Sequence, residues 1–291
     1  MFRIGILGSD NTHALHFAKL CNLPDENGNY IYDDVRVTAL YGRDDDPQHT
    51  KTVAEQGGVE FIAQTPEEFI GKVDAVMVVN RKGSLHVPEI LPFIEQGYPV
   101  WIDKPIATSM KDVAILKEAC EKNNTLITGG STIKYNYDVL TMKNRIDSGF
   151  FGELLGGAMN FPGDLESPYD GIYFYTSHLV EMMFTIFGYD VKSILATEVK
   201  HNRFTAIAKY ENFQVALNFL PAGDYYMTVY GADRSLTTQM DISIIYKLGF
   251  EQFVKMLRTQ KMPLSFDDLV KPVAVIDAIE RSIKEKREII L

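Results

Sequence analysis

Residues 4–17 read IGILGSDNTHALHF, a short apolar run that ends at Gly8 and is followed by apolar residues at helical spacing. A buried strand that ends at a glycine and leads into a helix is typical of the first βαβ unit of a nucleotide-binding fold. Two further glycines follow in that fingerprint, whereas this chain has Asp10 and His13 at their positions. Asp10, Asn11 or Thr12 is expected to cap the helix, which would occupy amides that otherwise meet phosphate.

The alternation of strand and helix patterns continues to about residue 128. Buried runs rich in β-branched residues, among them VRVTALYG (35–42), VDAVMVV (73–79) and PVWID (99–103), alternate with segments of helical spacing. Parallel strands covered on both faces have this composition. We therefore predict an α/β domain over residues 1–128, with a Rossmann-like, doubly wound parallel sheet whose ligands bind at the carboxyl ends of its strands.

Residues 129–291 follow a different pattern, which predicts an α+β domain. Aromatic-rich segments of alternating polarity, such as LLGGAMNF (154–161), FQVALNFL (213–220) and YYMTVYG (225–231), indicate an open, mostly antiparallel sheet. One apolar helix, at roughly 169–187, interrupts these strands, and another within residues 269–286 closes the chain.

The composition is that of an ordinary globular protein: 46% of the 291 residues are hydrophobic, 23% are charged and the net charge is −10. The acidic balance disfavours nucleic acids and anionic membranes as partners, because both attract basic surfaces. No apolar run approaches the roughly 20 residues that span a bilayer, and the N-terminus has no signal-peptide pattern. Two cysteines without metal-like spacing fit a reducing compartment, so we expect a cytoplasmic protein.

Four landmarks together resemble the Gfo/Idh/MocA oxidoreductase family over nearly the whole chain. They are ILG ending at Gly8, VDAVMVVNRKGSLH ending at His86, VWIDKPIATS (100–109) and FFGELLGG (150–157). The third is the most specific, since it is similar to the family's Glu-Lys-Pro element with Asp103 in place of the glutamate. The resemblance implies NAD or NADP in the first domain, a sugar, cyclitol or similar polyol as substrate, and a homodimer or homotetramer formed through the C-terminal sheet.

The resemblance also implies a set of cofactor-binding residues. They are Gly8, Ser9, Asn11, Arg43, Asn80, His86 and Lys104. NAD users place an acidic residue at the end of the second strand, where this chain has Gly42 followed by Arg43. A guanidinium suits a 2′-phosphate, so NADP is slightly favoured over NAD. A solvated loop arginine is an equal alternative, and Asp44, Asp45 and Asp46 would partly neutralise the site.

Lys104 is the leading catalytic candidate, because an ammonium there can hydrogen-bond the reacting hydroxyl and favour its alkoxide character. The resemblance implies that His178 relays the proton, supported by an aspartate one turn earlier on its helix. This chain has Phe174 at that position, so Tyr175 or Asp170 would have to substitute. The alternative for His178 is a core histidine.

Lys134 aligns where many relatives have a substrate-facing arginine, and we expect Lys134 and Asp170 to contact the substrate. The spacing of His178 and Glu181 would suit a metal, but no further ligand is evident, so no metal site is predicted.

The sequence thus predicts an NAD(P)-dependent oxidoreductase that acts on a small polyol, with Lys104 polarising the substrate oxygen and His178 or Tyr175 in the proton relay. The alternative is a ligand-binding sensor or regulatory protein without catalysis on the same fold, which Asp10, His13 and Phe174 favour. A glycosidase that retains its nicotinamide is a weaker alternative.

Overall fold

A computed structural model describes residues 1–43, 46–221 and 225–291. The chain divides into two compact units. The first unit contains residues 1–107, 111–130 and 246–269, and the second contains residues 108–110, 131–245 and 270–291. Within the described part of the chain, no helix is both long and apolar enough to cross a membrane.

The first unit is built on a six-stranded parallel sheet, as predicted. Its strands are β1 (Phe2–Leu7), β2 (Val35–Tyr41), β3 (Phe61–Ile62), β4 (Ala75–Val78), β5 (Val100–Asp103) and β6 (Ile127–Gly130). They lie in the order β3-β2-β1-β4-β5-β6, so the order reverses between β1 and β4. Ligands of doubly wound sheets bind at such a reversal, beyond the carboxyl ends of the strands.

Four helices follow the strands of this unit in turn. They are α1 (Thr12–Asn22), α2 (Pro47–Gly57), α3 (His86–Ile94) and α4 (Met110–Asn123). Strands β4 and β5 are buried along their whole length, because helices cover both faces of a parallel sheet.

The unit is completed by a helix that the sequence analysis does not identify. Residues Ile245–Thr259 form α7, which returns to the first unit from far along the chain. The Phe250 ring stacks on that of Phe17 at 5.6 Å, and the Phe253 ring meets that of Trp101 edge-on at 6.1 Å. This segment falls within the predicted second domain, residues 129–291, whereas its buried side chains lie in the core of the first unit.

The second unit contains a seven-stranded sheet. Its strands are β7 (Leu154–Phe161), β8 (Ser193–Lys200), β9 (Arg203–Lys209), β10 (Gln214–Phe219), β11 (Tyr226–Gly231), β12 (Ser235–Gln239) and β13 (Ile289–Ile290), in the order β12-β11-β7-β10-β9-β8-β13. Only the described pair β7–β10 is parallel, so the sheet is open and mostly antiparallel, as predicted.

Three further helices are α5 (Tyr137–Asp147), α6 (Tyr173–Phe187) and α8 (Phe266–Glu285). Helix α6 begins later than the predicted residue 169. Asp170 and Gly171 have φ angles of 70° and 57°, in the left-handed region, and a right-handed helix therefore cannot include them.

Candidate functional site

The turn after β1 is fixed by the close approach of two backbones. Gly8 has a φ of 99°, and a Cβ at this position would lie 2.6 Å from Oδ1 and 2.7 Å from the backbone nitrogen of Asn80. Only glycine fits both the conformation and the space. Gly8 thus makes the tight turn that the first glycine of the fingerprint makes, directly against the loop that follows β4.

Two side chains tie this turn to the β4 loop. Asn11 caps α1: its Oδ1 accepts a hydrogen bond from the backbone N–H of His13 at 2.7 Å, and its Nδ2 donates to the carbonyl of Val79. Asp10 does not cap the helix, since its Oδ1 accepts from the backbone N–H of Arg81 at 2.9 Å. Of the three capping candidates, Asn11 therefore has this role, and the carboxylate of Asp10 is directed to the end of β4.

His13 occupies the position of the third glycine and binds the end of β5. Its Nδ1 is hydrogen-bonded to Oδ2 of Asp103, a side chain that is 1% exposed. Burial raises the pKa of the Asp103 carboxyl, but the charge and hydrogen bond of His13, together with the charge of Lys104, outweigh it and lower the pKa below its usual range. Oδ1 of Asp103 has no hydrogen-bond partner among the described residues.

The end of β2 has no room for an acidic side chain. A Cβ on Gly42 would lie 1.9 Å from Oγ1 of Thr50 and 2.6 Å from Oγ of Ser9. Those two hydroxyls are hydrogen-bonded to each other at 2.8 Å and are buried. Ser9, a predicted cofactor contact, therefore fills the space in which the ribose-binding carboxylate of NAD users would begin.

Arg43 follows Gly42 and forms an ion pair with Glu89, in the first turn of α3. Glu89 also accepts a hydrogen bond from Nδ2 of Asn80 at 2.6 Å. Arg43 and Asn80, both predicted to bind the cofactor, thus contact the same carboxylate, that of Glu89. Asp44 and Asp45 lie outside the described residues.

His86 joins the loops after β4 and β5. Its ring is fully buried, with Nδ1 2.7 Å from the carbonyl oxygen of Pro105 and Nε2 2.8 Å from that of Asn80. Lys104 directly follows β5 and is 7% exposed, and the Lys104–Pro105 peptide bond is cis. The sheet's carboxyl edge therefore brings together Gly8, Asn80, His86 and Lys104.

In the second unit, His178 lies on α6 and has a partner that the sequence analysis does not identify. Its Nδ1 is 2.7 Å from Oγ of Ser131, a fully buried side chain just after β6. The ring of Tyr175 is 6.5 Å from that of His178, centroid to centroid, and 40% of Tyr175 is exposed. Asp170 lies three residues before α6, in the left-handed conformation.

A buried ion pair lies one helical turn further along α6. Nζ of Lys134 is 2.7 Å from Oε2 of Glu181, and each side chain is 3% exposed. Burial lowers the pKa of Lys134, but the adjacent Glu181 carboxylate outweighs it and raises the pKa. Both Glu181 oxygens also accept the backbone N–H of Ser131, at 2.9 and 3.0 Å. Lys134, predicted to contact a substrate, thus lies buried against Glu181.

Neither Ser131 nor Glu181 belongs to a sequence motif that would indicate its contact with His178 or Lys134. The i, i+3 spacing of His178 and Glu181 places both on one face of α6. That spacing would suit a metal, whereas both side chains bind the segment that begins at Ser131. No group of three or more histidine, cysteine, aspartate or glutamate side chains in the described part of the chain could hold a metal ion.

A family model of the Gfo/Idh/MocA oxidoreductases, described as an oxidoreductase family with an NAD-binding Rossmann fold, matches residues 2–131. An uncharacterized oxidoreductase of Streptococcus pneumoniae is 29% identical over 125 residues, which are 42% of this chain and 32% of the relative. Inositol 2-dehydrogenase of Rhodococcus jostii is 33% identical over 84 residues, 28% of this chain and 23% of the relative. The matched segments therefore span about a third or less of these relatives.

Solved structures resemble the chain over its whole length. A putative myo-inositol dehydrogenase from Sinorhizobium meliloti has a TM-score of 0.84 at 18% identity, covering 100% of this chain and 99% of its own. Scyllo-inositol dehydrogenase from Lactobacillus casei, with bound NAD(H) and scyllo-inositol, has a TM-score of 0.83 at 12% identity and the same coverage. At these identities the likeness shows the fold. The family model confirms the predicted resemblance over residues 2–131, where the chain is similar to the Gfo/Idh/MocA oxidoreductases with their NAD-binding Rossmann fold.

Proposed function

We propose that this protein is a cytoplasmic NAD(P)-dependent dehydrogenase that acts on a sugar, cyclitol or related polyol. The observation that carries the proposal is the placement of Lys104, a buried ammonium at the carboxyl end of β5 in an NAD-binding Rossmann fold. Several similar proteins are inositol dehydrogenases by name, which supports a cyclitol as the substrate.

The described residues fit a dinucleotide at the carboxyl edge of the sheet. Gly8 allows the tight turn, and the N-terminus of the 11-residue α1 follows it, where a helix favours an anion. Ser9, Asn11 and Asn80 would complete the cofactor site, whereas His86, fully buried with both ring nitrogens hydrogen-bonded, would hold the loops after β4 and β5 in place rather than contact the cofactor as predicted. A bound nicotinamide supplies the acceptor or donor of a hydride, and the chain's own side chains bind and orient the reactants.

Lys104 would donate a hydrogen bond to the substrate oxygen and stabilise its alkoxide character as the hydride leaves the adjacent carbon. His178 would hydrogen-bond the substrate and take part in the proton relay, with Tyr175 as a neighbour on the same helix. Asp170, at the start of that helix, is the remaining candidate for a substrate contact. Lys134 is better placed to anchor Glu181.

The preference for NADP depends on Arg43. Gly42 leaves no room for the carboxylate that holds the ribose hydroxyls of NAD, and a guanidinium can bind a 2′-phosphate. Glu89 competes for the same guanidinium. Arg43→Ala should therefore weaken NADPH binding at least tenfold and NADH binding little, in fluorescence titrations. Equal weakening of both would contradict this role of Arg43.

The proposal is tested with purified protein, NAD⁺ or NADP⁺ and a panel of cyclitols and sugars, by following reduced nicotinamide absorbance. Lys104→Ala should lower kcat by about 10²–10⁴-fold while reduced nicotinamide still binds. Lys111→Ala, a change of an exposed lysine in α4, is the matched control and should have full activity. Absence of nucleotide binding at millimolar concentration, or unchanged turnover by Lys104→Ala, would overturn the proposal.

The second candidate is a ligand sensor or regulatory protein without hydride chemistry. Phe174 favours it, because a phenyl ring cannot stabilise a protonated His178 as a carboxylate would. Calorimetry that detects nucleotide or polyol binding, together with no turnover of any panel member, would support this candidate over the dehydrogenase.

We also propose that a second copy of this chain binds through the seven-stranded sheet. Tyr226 and Tyr230 of β11 and Leu195 of β8 are large, exposed side chains on the strands of that sheet. Light scattering should give a dimer or tetramer that Tyr230→Glu weakens. A monomer at micromolar concentration would exclude the assembly.

A further inference from the structure

The hydroxyl of Ser131 makes two hydrogen-bond contacts within the part of the chain that the structure describes. Ser131 is fully buried, and its Oγ lies 3.3 Å from the backbone nitrogen of Ile133 and 2.7 Å from Nδ1 of His178. The backbone of Ser131 is fixed as well, because its N–H donates to both carboxylate oxygens of Glu181. Lys134 neutralises that carboxylate, so the charge of Glu181 is compensated beside the serine.

The direction of the hydrogen bond between Ser131 and His178 follows from these contacts. The N–H of Ile133 can only donate, so Oγ of Ser131 is the acceptor in that bond. A buried hydroxyl proton needs an acceptor, and among the hydrogen bonds of the described residues the remaining contact of this hydroxyl is Nδ1 of His178, which accepts when it carries no proton. Oγ–H of Ser131 therefore donates to Nδ1, and the proton of a neutral imidazole is then on Nε2.

We propose that Ser131 is a positioning residue that holds His178 as the neutral Nε2–H tautomer, in place of the carboxylate that Phe174 does not supply. The inference rests on the proposed function for its consequence, namely that His178 meets the substrate as a hydrogen-bond donor. Such a donor can bind a substrate oxygen, whether it belongs to a hydroxyl or to a carbonyl group. Glu181 and Lys134 hold the serine in place, as described above.

The arrangement differs in charge from a histidine supported by a carboxylate. An aspartate beside Nδ1 favours the imidazolium, whereas a neutral hydroxyl that donates to Nδ1 favours the uncharged ring. Donation of the hydrogen bond from Ser131 to Nδ1 thus favours the neutral Nε2–H tautomer of His178.

The experiment is ¹⁵N NMR of the full-length protein labelled in its histidines, since ¹⁵N shifts distinguish a protonated from an unprotonated ring nitrogen. The sequence has six histidines, and the signals missing from His178→Gln identify those of His178. At neutral pH we expect Nδ1 to be unprotonated and Nε2 to be protonated. A signal from protonated Nδ1 in the unmodified protein would overturn the proposal.

Two variants separate positioning from a merely structural role. Ser131→Ala keeps the backbone N–H that binds Glu181 and should give a mixture of both tautomers. Ser177→Ala removes the hydroxyl of a buried serine on the same helix that has no hydrogen-bond partner among the described residues, and it should leave the His178 spectrum unchanged. An unchanged spectrum in Ser131→Ala would also refute the inference. The measurement needs no turnover, so a failed dehydrogenase assay leaves it interpretable.

Discussion

Nζ of Lys134 lies 2.7 Å from Oε2 of Glu181, with both side chains 3% exposed. Removing one member of such a pair leaves an uncompensated buried charge. Lys134→Met should therefore lower the free energy of unfolding by about 3–5 kcal/mol, measured by urea denaturation.

The matched control is Lys143→Met, since Lys143 and Asp147 form an exposed i, i+4 pair on α5. That change should cost less than about 1 kcal/mol. Adding Glu181→Gln to Lys134→Met should recover stability, because the double variant contains no buried charge and the amide oxygen can still accept the N–H of Ser131. A double variant that is less stable than Lys134→Met would contradict an uncompensated charge as the cause of the loss.

The Asp103 carboxyl makes part of the stability depend on pH. The pKa of Asp103 is lowered in the folded protein. Its ionised carboxylate therefore adds to the free energy of unfolding above the usual aspartate pKa of about 3.9, and this contribution is lost as the pH falls through the pKa of the folded protein. Asp103→Asn should be less stable than the unmodified protein at pH 6, and the difference should shrink as the pH approaches 3. Urea denaturation across this range measures it, and a difference that is constant with pH would contradict the prediction. Asp147→Asn, in an exposed pair, is the control.

The crowding at Gly42 predicts a paired effect. Gly42→Ala places a Cβ 1.9 Å from Oγ1 of Thr50 and should cost about 1–3 kcal/mol of folding free energy. Thr50→Ala removes the two nearest clashing atoms and leaves Oγ of Ser9 at 2.6 Å, so the double variant should be more stable than the sum of the two single effects predicts. Thermal unfolding of the unmodified protein, the two single variants and the double variant measures this coupling. Strict additivity would mean that the strand end moves to accept the methyl group.

The return helix α7 predicts a large effect from a residue far along the chain. Phe250 is fully buried and its ring stacks on Phe17, so Phe250→Ala should cost about 3–5 kcal/mol. Lys255→Ala, a change of an exposed residue of the same helix, should change stability by less than about 0.5 kcal/mol. Equal losses from both variants would exclude a core role for Phe250.

Local patterns were enough to predict both sheets, because buried parallel strands and half-buried antiparallel strands differ in their apolar periodicity. The same type of signal exists for α7: residues 250, 253, 254 and 257 are apolar, at helical spacing, and buried. That pattern identifies a helix and its apolar face, but the core that the face covers is set by contacts with Phe17 and Trp101, more than a hundred residues away.

The geometry of the candidate site was less predictable for the same reason. Gly8 and Asn11 act within a few residues of their own positions, so turn and cap chemistry indicates their roles. The hydrogen bonds of His13 with Asp103 and of Ser131 with His178 join residues 90 and 47 positions apart. A family pattern shows that an aspartate is missing at Phe174, but it cannot show which side chain contacts the histidine instead.

The return of residues 246–269 to the first unit also affects how the protein folds during synthesis. When Gly130 has been polymerised, the six parallel strands are complete, yet Phe17 and Trp101 still lack their partners from α7. At typical translation rates the next stretch, up to residue 246, takes roughly 6–23 s. A nascent chain of this protein therefore carries an uncovered aromatic surface for seconds, which is the kind of surface that holdase chaperones bind.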